Sequence, residues 1–272
     1  ELSFDITEID IIENGNVILG SKGGKAVTQD GFEINAENFL YNKLTNILDV
    51  YGNVKLVSQQ DGLVIFADKA TYLKNDEIIF TEGNSKAINE IYEITATQFK
   101  FKKKINILEA RQNVKFVDKK DNTFIFSDKA TYLKNDEIIF TEGNTKALVD
   151  KKFNFESKNV NYSKKTQQLS SKNKSTINDE NGNKYEVDNF NYQIDKKLLK
   201  AQNVNVLATV GKDKQDNYFF SEGFFNFAKD TFVSKQTKVK VHKSAFDDEK
   251  QDPRIYGSSS YGDVNKTVIN KG

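Results

Sequence analysis

The chain has 272 residues, of which 37% are hydrophobic and 29% charged, and this suits one or two domains with a modest core. Its 40 basic and 39 acidic residues nearly cancel, so it lacks the strong basic field of a nucleic-acid-binding protein. With no Cys and one His, it lacks the usual groups for disulfides, metal sites and general-base catalysis, so we expect neither an enzyme nor a cofactor.

Apolar and polar residues alternate along the chain, and strand-forming residues are abundant, including 21 Phe and 11 Tyr. Segments of Asn, Asp, Gly and Lys, such as Lys74–Asp76 and Asn181–Asn183, separate the apolar stretches and are typical of hairpin turns. No apolar run approaches the roughly 18 residues of a spanning helix, and neither an initiator Met nor a signal-like start is present. We expect an all-β chain that is a processed or excised piece.

The first predicted strands, Leu2–Ile6 and Asn16–Leu19, form an incomplete unit with Phe4 and the pair Gly15–Asn16 as its anchors. A stack of hairpins ends in edge strands, whose N–H and C=O groups are unpaired. We therefore expect an edge that can pair with a strand of another protein. That edge comprises Leu2, Ser3, Phe4, Asp5 and Ile6.

An internal repeat organises the rest of the chain, since residues 68–84 recur letter for letter at 128–144. Looser copies, each an aromatic residue followed by a Gly-Asn-like pair such as Gly83–Asn84, divide the chain into eight two-strand units. The first strand of a unit ends on the aromatic residue, and the second strand runs through the pair. About sixteen strands are expected.

Each unit places its apolar residues on one side of its strands, because side chains two positions apart share a face. The other side is mostly Lys, Glu, Asp and Asn. The predicted apolar face comprises Phe39, Tyr41, Leu48, Val50, Val54, Tyr72, Ile79, Phe99, Phe101, Leu108, Val114, Tyr132, Ile139, Val160, Tyr162, Phe190, Tyr192, Phe225 and Phe227.

Strands with one apolar face must cover that face. We expect an antiparallel sheet that folds over on itself, as a sandwich or a V-shaped β-jellyroll; a parallel β-helix is the alternative. The repeat extends over residues 1–245. It stops in residues 246–272, which contain the only Pro, Pro253, so we expect residues 253–272 not to pack with the repeats.

The pattern Ala67-Asp68-Lys69-Ala70-x-Tyr72 followed by Ile78-Ile79-Phe80-Thr81-Glu82-Gly83-Asn84 resembles the OstA-like repeat of lipopolysaccharide transport proteins. The resemblance covers residues 1 to about 245. It implies a V-shaped jellyroll whose apolar face is a groove for the acyl chains of lipid A. Residues 246–272 resemble the junction at which the outer-membrane member of that family begins its β-barrel.

The resemblance also implies a place and partners: a periplasmic domain of a Gram-negative outer-membrane protein that transfers lipopolysaccharide to the outer membrane. Besides lipopolysaccharide, the implied partners are a periplasmic bridge protein (LptA-like), which adds a strand to the N-terminal edge, and an outer-membrane lipoprotein (LptE-like). A free bridge protein is an alternative within the family. A structural β-solenoid or surface protein is an alternative outside it, since an ordinary sandwich core also requires such an apolar face.

Three further features do not predict a site. His242 has no catalytic partner in the sequence pattern, Asp247–Glu249 lacks the spacing of a calcium loop, and Gly20–Lys25 lacks the order of a phosphate-binding loop. We expect a packed or solvated His, a solvated linker and a hairpin loop at these places.

Overall fold

The computed structural model describes residues 2–60, 62–207, 216–242, 254–263 and 265–270. Apart from two short 3-10 segments, Glu13–Gly15 and Lys103–Ile105, its regular structure is strand, which confirms the prediction of an all-β chain. No described segment forms a helix that is both long enough and apolar enough to cross a bilayer.

The chain divides into two compact units, residues 1–135 and 136–272. The sequence indicated no boundary at this point, which falls inside the second copy of the exact repeat. The first unit contains β1 (Leu2–Ile12), β2 (Val17–Thr28), β3 (Glu33–Ala36), β4 (Asn38–Asn42), β5 (Ile47–Ser58), β6 (Leu63–Leu73), β7 (Ile78–Ile88), β8 (Tyr92–Lys102), β9 (Ile107–Asp118) and β10 (Thr123–Leu133).

The second unit contains β11 (Ile138–Val149), β12 (Phe153–Lys158), β13 (Asn161–Ser163), β14 (Gln168–Ser171), β15 (Ser175–Asn178), β16 (Lys184–Val187), β17 (Asn189–Gln193), β18 (Leu198–Leu207), β19 (Asn217–Asn226), β20 (Thr231–Lys240), β21 (Arg254–Gly262) and β22 (Thr267–Asn270). Every described strand pairing is antiparallel, so the parallel β-helix alternative is wrong.

At four places in the sheet, two consecutive short strands together occupy the position of one long strand. In the first unit, β3 and β4 both pair with β2 and with β5. In the second unit, β12 with β13, β14 with β15 and β16 with β17 alternate in the same way along their neighbours. Counted as whole strands, β1 to β20 make sixteen, as the eight two-strand units predicted.

Three of the Gly-Asn-like pairs form β-bulges inside long strands. The strand register shifts beside Gly52–Asn53, Gly83–Asn84 and Gln112–Asn113, and all six residues have positive φ. At Gly83, with φ 73°, an added Cβ would also clash with the carboxylate of Asp68. A bulge adds one residue on one side of the ladder and bends the strand, so each long strand has two halves that meet at a bend.

The sequence prediction assigned the wrong residues as the Gly-Asn-like pair of the first unit. Gly15 lies in the 3-10 turn between β1 and β2, and the bulge of β2 comes later, at Lys22 and Gly23, whose φ values are 61° and 85°. Gly20–Lys25 is consequently part of β2 and not a hairpin loop. The dipeptide Gly15–Asn16 matched the repeat in composition alone, and its position after a strand end makes it a turn.

The C-terminal segment also differs from the prediction. β21 pairs with β20 over eight residue pairs, and Ser260 of β21 is fully buried beside Ser234 and Thr237. The expectation that residues 253–272 stay apart from the repeats is therefore wrong for 254–262. Asp247–Glu249 and Pro253 lie outside the described residues.

Candidate functional site

In the first unit, the apolar face consists of rows of side chains that run across the strands. One row, at the turn end of the strands, joins directly paired residues from β4 to β10: Tyr41, Leu48, Tyr72, Ile79, Phe101, Leu108 and Tyr132. A second row lies beyond the bend: Ile34, Leu56, Ile65, Ala87, Ile94, Phe116 and Ile125. Each row is continuous because the paired residues of neighbouring strands direct their side chains to the same face of the sheet.

The second unit has the same arrangement. Its turn-end row comprises Ile139, Tyr162, Leu169, Tyr192, Leu199, Phe225 and Phe232. Its row beyond the bend comprises Ala147, Phe155, Ile177, Tyr185, Val206, Tyr218 and Val239. Each unit therefore carries two apolar rows separated by the bend.

The structure brings the predicted apolar face together within each unit. Of its nineteen residues, eighteen are buried, with exposed fractions of 0 to 7%, and Phe227 is half-buried. Phe39, Val50 and Phe99 lie in a further row beside the bend, which also contains smaller side chains, and Phe190 holds the matching place in β17. Val54 and Val114 follow the bulges of β5 and β9, and Val160 lies between β12 and β13.

Ring contacts show that the two halves of each unit's sheet face one another. In the first unit, Tyr92 from beyond the bend meets Tyr132 of the turn-end row, with 4.9 Å between ring centroids. In the second unit, Phe155 lies 5.1 Å from Tyr192, and Tyr185 lies 5.1 Å from Phe225. The sheet of each unit thus folds over on itself and packs its aromatic residues between the two halves.

Buried hydroxyl groups line the bend. Thr81 and Ser85 are hydrogen-bonded at 2.7 Å, as are Thr141 and Thr145 in the second copy of the repeat. At these two bulges the hydroxyl replaces a ladder acceptor: Thr141 Oγ1 accepts the backbone N–H of Val160 at 2.8 Å. These hydroxyls satisfy the backbone groups that a bulge leaves unpaired, so the bend can lie inside an apolar interior.

The second unit contains a cavity of about 690 Å³, which is within the range of small-molecule and lipid sites. Aromatic side chains of both halves form its floor: Tyr185, Tyr218, Phe220, Phe225, Phe227 and Phe232. Residues of three hairpin turns, those after β15, β19 and β21, form its mouth. The sequence prediction included Phe225 and Phe227 but missed the other four, of which Tyr185 alone lies between two polar neighbours in the sequence.

Charged groups lie at the cavity mouth, where Asp179, Asp230, Asp263 and Lys266 are among the lining residues. Asp179 accepts the hydroxyl of Tyr185 at 3.0 Å and the backbone N–H groups of Asn181 and Asn183, each at 2.9 Å. Burial raises the pKa of Tyr185, and the neighbouring Asp179 charge raises it further. The Tyr185 hydroxyl therefore stays protonated and holds the turn against the aromatic floor.

The interior offers apolar contact and hydrogen bonding, the latter from hydroxyl groups such as those of Tyr185 and Thr81. Burial raises the pKa of Tyr72 to about 12 and also raises that of Tyr192, so neither titrates near neutral pH. Among the described residues, no group of three or more His, Asp or Glu side chains is placed to bind a metal ion.

The predicted docking edge lies in β1, which pairs with β2 in the first unit. Thr28, opposite Leu2, donates its backbone N–H to Phe32, so its backbone faces away from β1. Because antiparallel pairs alternate between hydrogen-bonded and non-hydrogen-bonded, Leu2, Phe4 and Ile6 direct their N–H groups outward, whereas Ser3 and Asp5 bond to β2.

Comparisons with known proteins identify no family. No family model matches the chain, and no curated protein matches it. Among solved structures, the wild-type TCP10 domain of Danio rerio CPAP, in complex with a peptide of Danio rerio STIL, matches at 13% identity over 75% of this chain and 95% of that chain. Its TM-score is 0.15, too low to support an argument about fold or function.

Proposed function

We propose that the folded sheet binds the acyl chains of lipopolysaccharide and passes this lipid towards the outer membrane, as a non-enzymatic periplasmic part of lipopolysaccharide transport. The observation that carries the proposal is the pair of continuous apolar rows in each unit, together with the aromatic cavity in the second. Transfer of each acyl CH₂ from water into such an interior is favourable by about 0.8 kcal/mol. A long row of contacts suits several chains better than a single pocket does.

The cavity in the second unit is the place where this proposal is most direct. Its floor is aromatic and its charged residues lie at the mouth, so an acyl chain can enter while the polar part of the lipid stays at the solvent. The residues that contact the chain are Tyr218, Phe220, Phe227 and Phe232. In this proposal, the bridge protein adds a strand to β1 and supplies lipid there. The lipoprotein is a proposed partner of the full-length outer-membrane protein.

A second candidate function is that of a structural β protein without a lipid. The near-complete burial of the predicted apolar face favours it, because rows whose aromatic rings already touch leave little space for a ligand. The two candidates differ in one measurable respect: a structural core binds no lipid at the cavity.

Site-specific photo-crosslinking separates the two candidates. A photo-reactive residue is placed at Tyr218, Phe227 or Phe232, which are half-buried and line the cavity. Glu156 is the control, since it is exposed beside the buried Phe155 of β12. With purified protein and lipopolysaccharide, the cavity positions should yield a lipid adduct that free lipid A competes away, and Glu156 should yield little.

Equal labelling at all positions would mean non-specific contact, and absence of adduct at every cavity position would favour the structural candidate. Mass spectrometry of lipid extracted from the purified protein gives an independent result. A lipid A signal is expected from the intact chain, and its absence from protein made in a lipopolysaccharide-producing cell would contradict the proposal.

A further inference from the structure

The outward side of β18 to β21 carries exposed apolar side chains in register across neighbouring strands. One row joins Phe224, Val233 and Tyr261, and a second row contains Phe219 and Tyr256. Their exposed fractions lie between 37 and 59%. These side chains point away from the cavity and rows described above, because residues adjacent in a strand alternate between faces.

Lysines lie among these apolar residues in the same rows. Lys200 pairs with Phe224 in the ladder and Lys238 joins Phe219 to Tyr256, with its Nζ 5.8 and 5.7 Å from the two ring centroids. Lys200 and Lys235 share the carboxylate of Glu222, at 3.1 and 2.8 Å. Their attraction lowers the pKa of Glu222, which stays ionised.

The resulting surface, called the outer patch, consists of Phe219, Phe224, Val233, Tyr256 and Tyr261 with Lys200, Lys235 and Lys238. These side chains lie in three ladder rows across β18 to β21, and the structure describes every residue of these four strands. On these strands, Glu222 is the one acidic residue in the three rows. Three lysines against one carboxylate leave the outer patch cationic.

The outward side of the first unit differs in charge at the turn end of its strands, where the lysines have acidic partners. Lys69 lies opposite Glu82, Lys100 lies opposite Glu109, and Lys102 forms an ion pair with Glu109 at 2.5 Å. This part of the first unit is therefore the matched comparison for the outer patch.

Beyond the bend, the outward side of the first unit resembles the outer patch. Phe66 is 40% exposed and lies directly between Lys55 and Lys86 in its ladder row. Control substitutions are therefore placed at the turn end of the first unit.

We infer that the outer patch docks the protein onto a bilayer surface that contains anionic lipids. Tyr and Phe side chains are suited to the boundary between headgroups and acyl chains, and neighbouring lysines are attracted to anionic headgroups. A protein partner would more often need a pocket with satisfied polar groups, whereas the outer patch is a flat sheet face with its charges at the surface. The inference is independent of the proposed function, because it concerns the opposite face of the strands.

Two vesicle experiments on the full chain test the inference. The first measures partitioning onto vesicles of phosphatidylethanolamine with phosphatidylglycerol, free of lipopolysaccharide and of protein. The triple variant Lys200→Gln, Lys235→Gln, Lys238→Gln should bind on the order of a hundredfold more weakly than the unmodified chain. The matched control, Lys69→Gln, Lys100→Gln, Lys102→Gln, changes the net charge equally at the turn end of the first unit and should lose less than about threefold.

The second experiment reports which face meets the membrane. The chain has no Trp, so Tyr256→Trp and Leu40→Trp each introduce a single Trp at an exposed position, and Leu40 lies opposite Asp49 at the turn end of the first unit. Vesicles should shift the Trp emission of Tyr256→Trp to shorter wavelength and leave that of Leu40→Trp unchanged. Absence of binding by the unmodified chain, equal loss in both triple variants, or equal shifts at both Trp positions would overturn the inference.

Discussion

At the scale of single residues, the hydroxyls at the bend explain how bulges fit into an apolar interior. Thr141 is 3% exposed and accepts the N–H of Val160, which no longer has a ladder partner at the bulge. Thr81 does the same for the N–H of Phe99 in the first copy of the repeat, at 3.2 Å. The sequence repeat thus conserves a hydrogen bond as well as an apolar pattern across its two copies.

This hydrogen bond predicts the effect of Thr141→Val. The substitution keeps the shape of the side chain but leaves the buried N–H of Val160 without an acceptor, so the free energy of unfolding should fall by about 1–3 kcal/mol. Urea denaturation followed by circular dichroism measures the change. Thr141→Ser retains the oxygen and is the control; if Thr141→Val were as stable as Thr141→Ser, the hydroxyl would have no role in the bend.

Much of the site could be predicted at this scale from alternation alone. The parity of Tyr72, Ile79 and Phe101 placed these residues on one face, and the structure joins them in one row. Tyr185 and Phe220 were missed because the unit anchors were defined on the first strand's final aromatic residue. These two lie on other parts of the strands, and no local spacing links them to the cavity, which forms only when three turns come together.

At the scale of strands, the repeat predicted the number of strands but not where the sheet ends. A Gly-Asn pair has the same composition in a turn and in a bulge, and only its distance from the strand ends distinguishes Gly15–Asn16 from Gly83–Asn84. Residues 254–262 lack the repeat pattern, yet as β21 they pair with β20, because backbone hydrogen bonds need no particular side chain. Its Ser260 completes the hydroxyl cluster with Ser234 and Thr237, at 2.6 and 2.8 Å.

The pairing of β21 predicts that the C-terminal segment contributes to stability. Ending the chain after His242 removes β21 and β22, so Ser234 and Thr237 lose their buried partner and β20 becomes an open edge. The melting temperature should fall by about 5 °C or more, given roughly 2–4 °C per kcal/mol for a domain of this size. Ending the chain at Gly262 removes only β22 and should cost less. Equal melting temperatures for all three chains would show that β21 does not belong to the stable sheet.

At the scale of the whole molecule, the arrangement depends on repetition within each unit. Every added strand extends both apolar rows by one residue and also moves the edge outward, so the sheet acquires a long interior and an unpaired end together. The long apolar interior could be predicted from the sequence, because the face to which a side chain points depends only on its position along its own strand. The direction of each N–H at the edge could not, since it depends on how β2 bonds to its other neighbour.

The outward N–H groups of β1 give a final prediction about assembly with the bridge protein. Ile6→Pro removes an N–H that an added strand would use, while leaving the bonds to β2 intact, so binding to a purified LptA-like bridge protein should weaken about tenfold. Ile6→Ala removes the same side chain but keeps the N–H, and should change the affinity about twofold at most. Ser3→Pro instead deletes a bond to β2 and should lower the melting temperature. If folded Ile6→Pro bound as tightly as the unmodified chain, the proposed strand addition at β1 would be wrong.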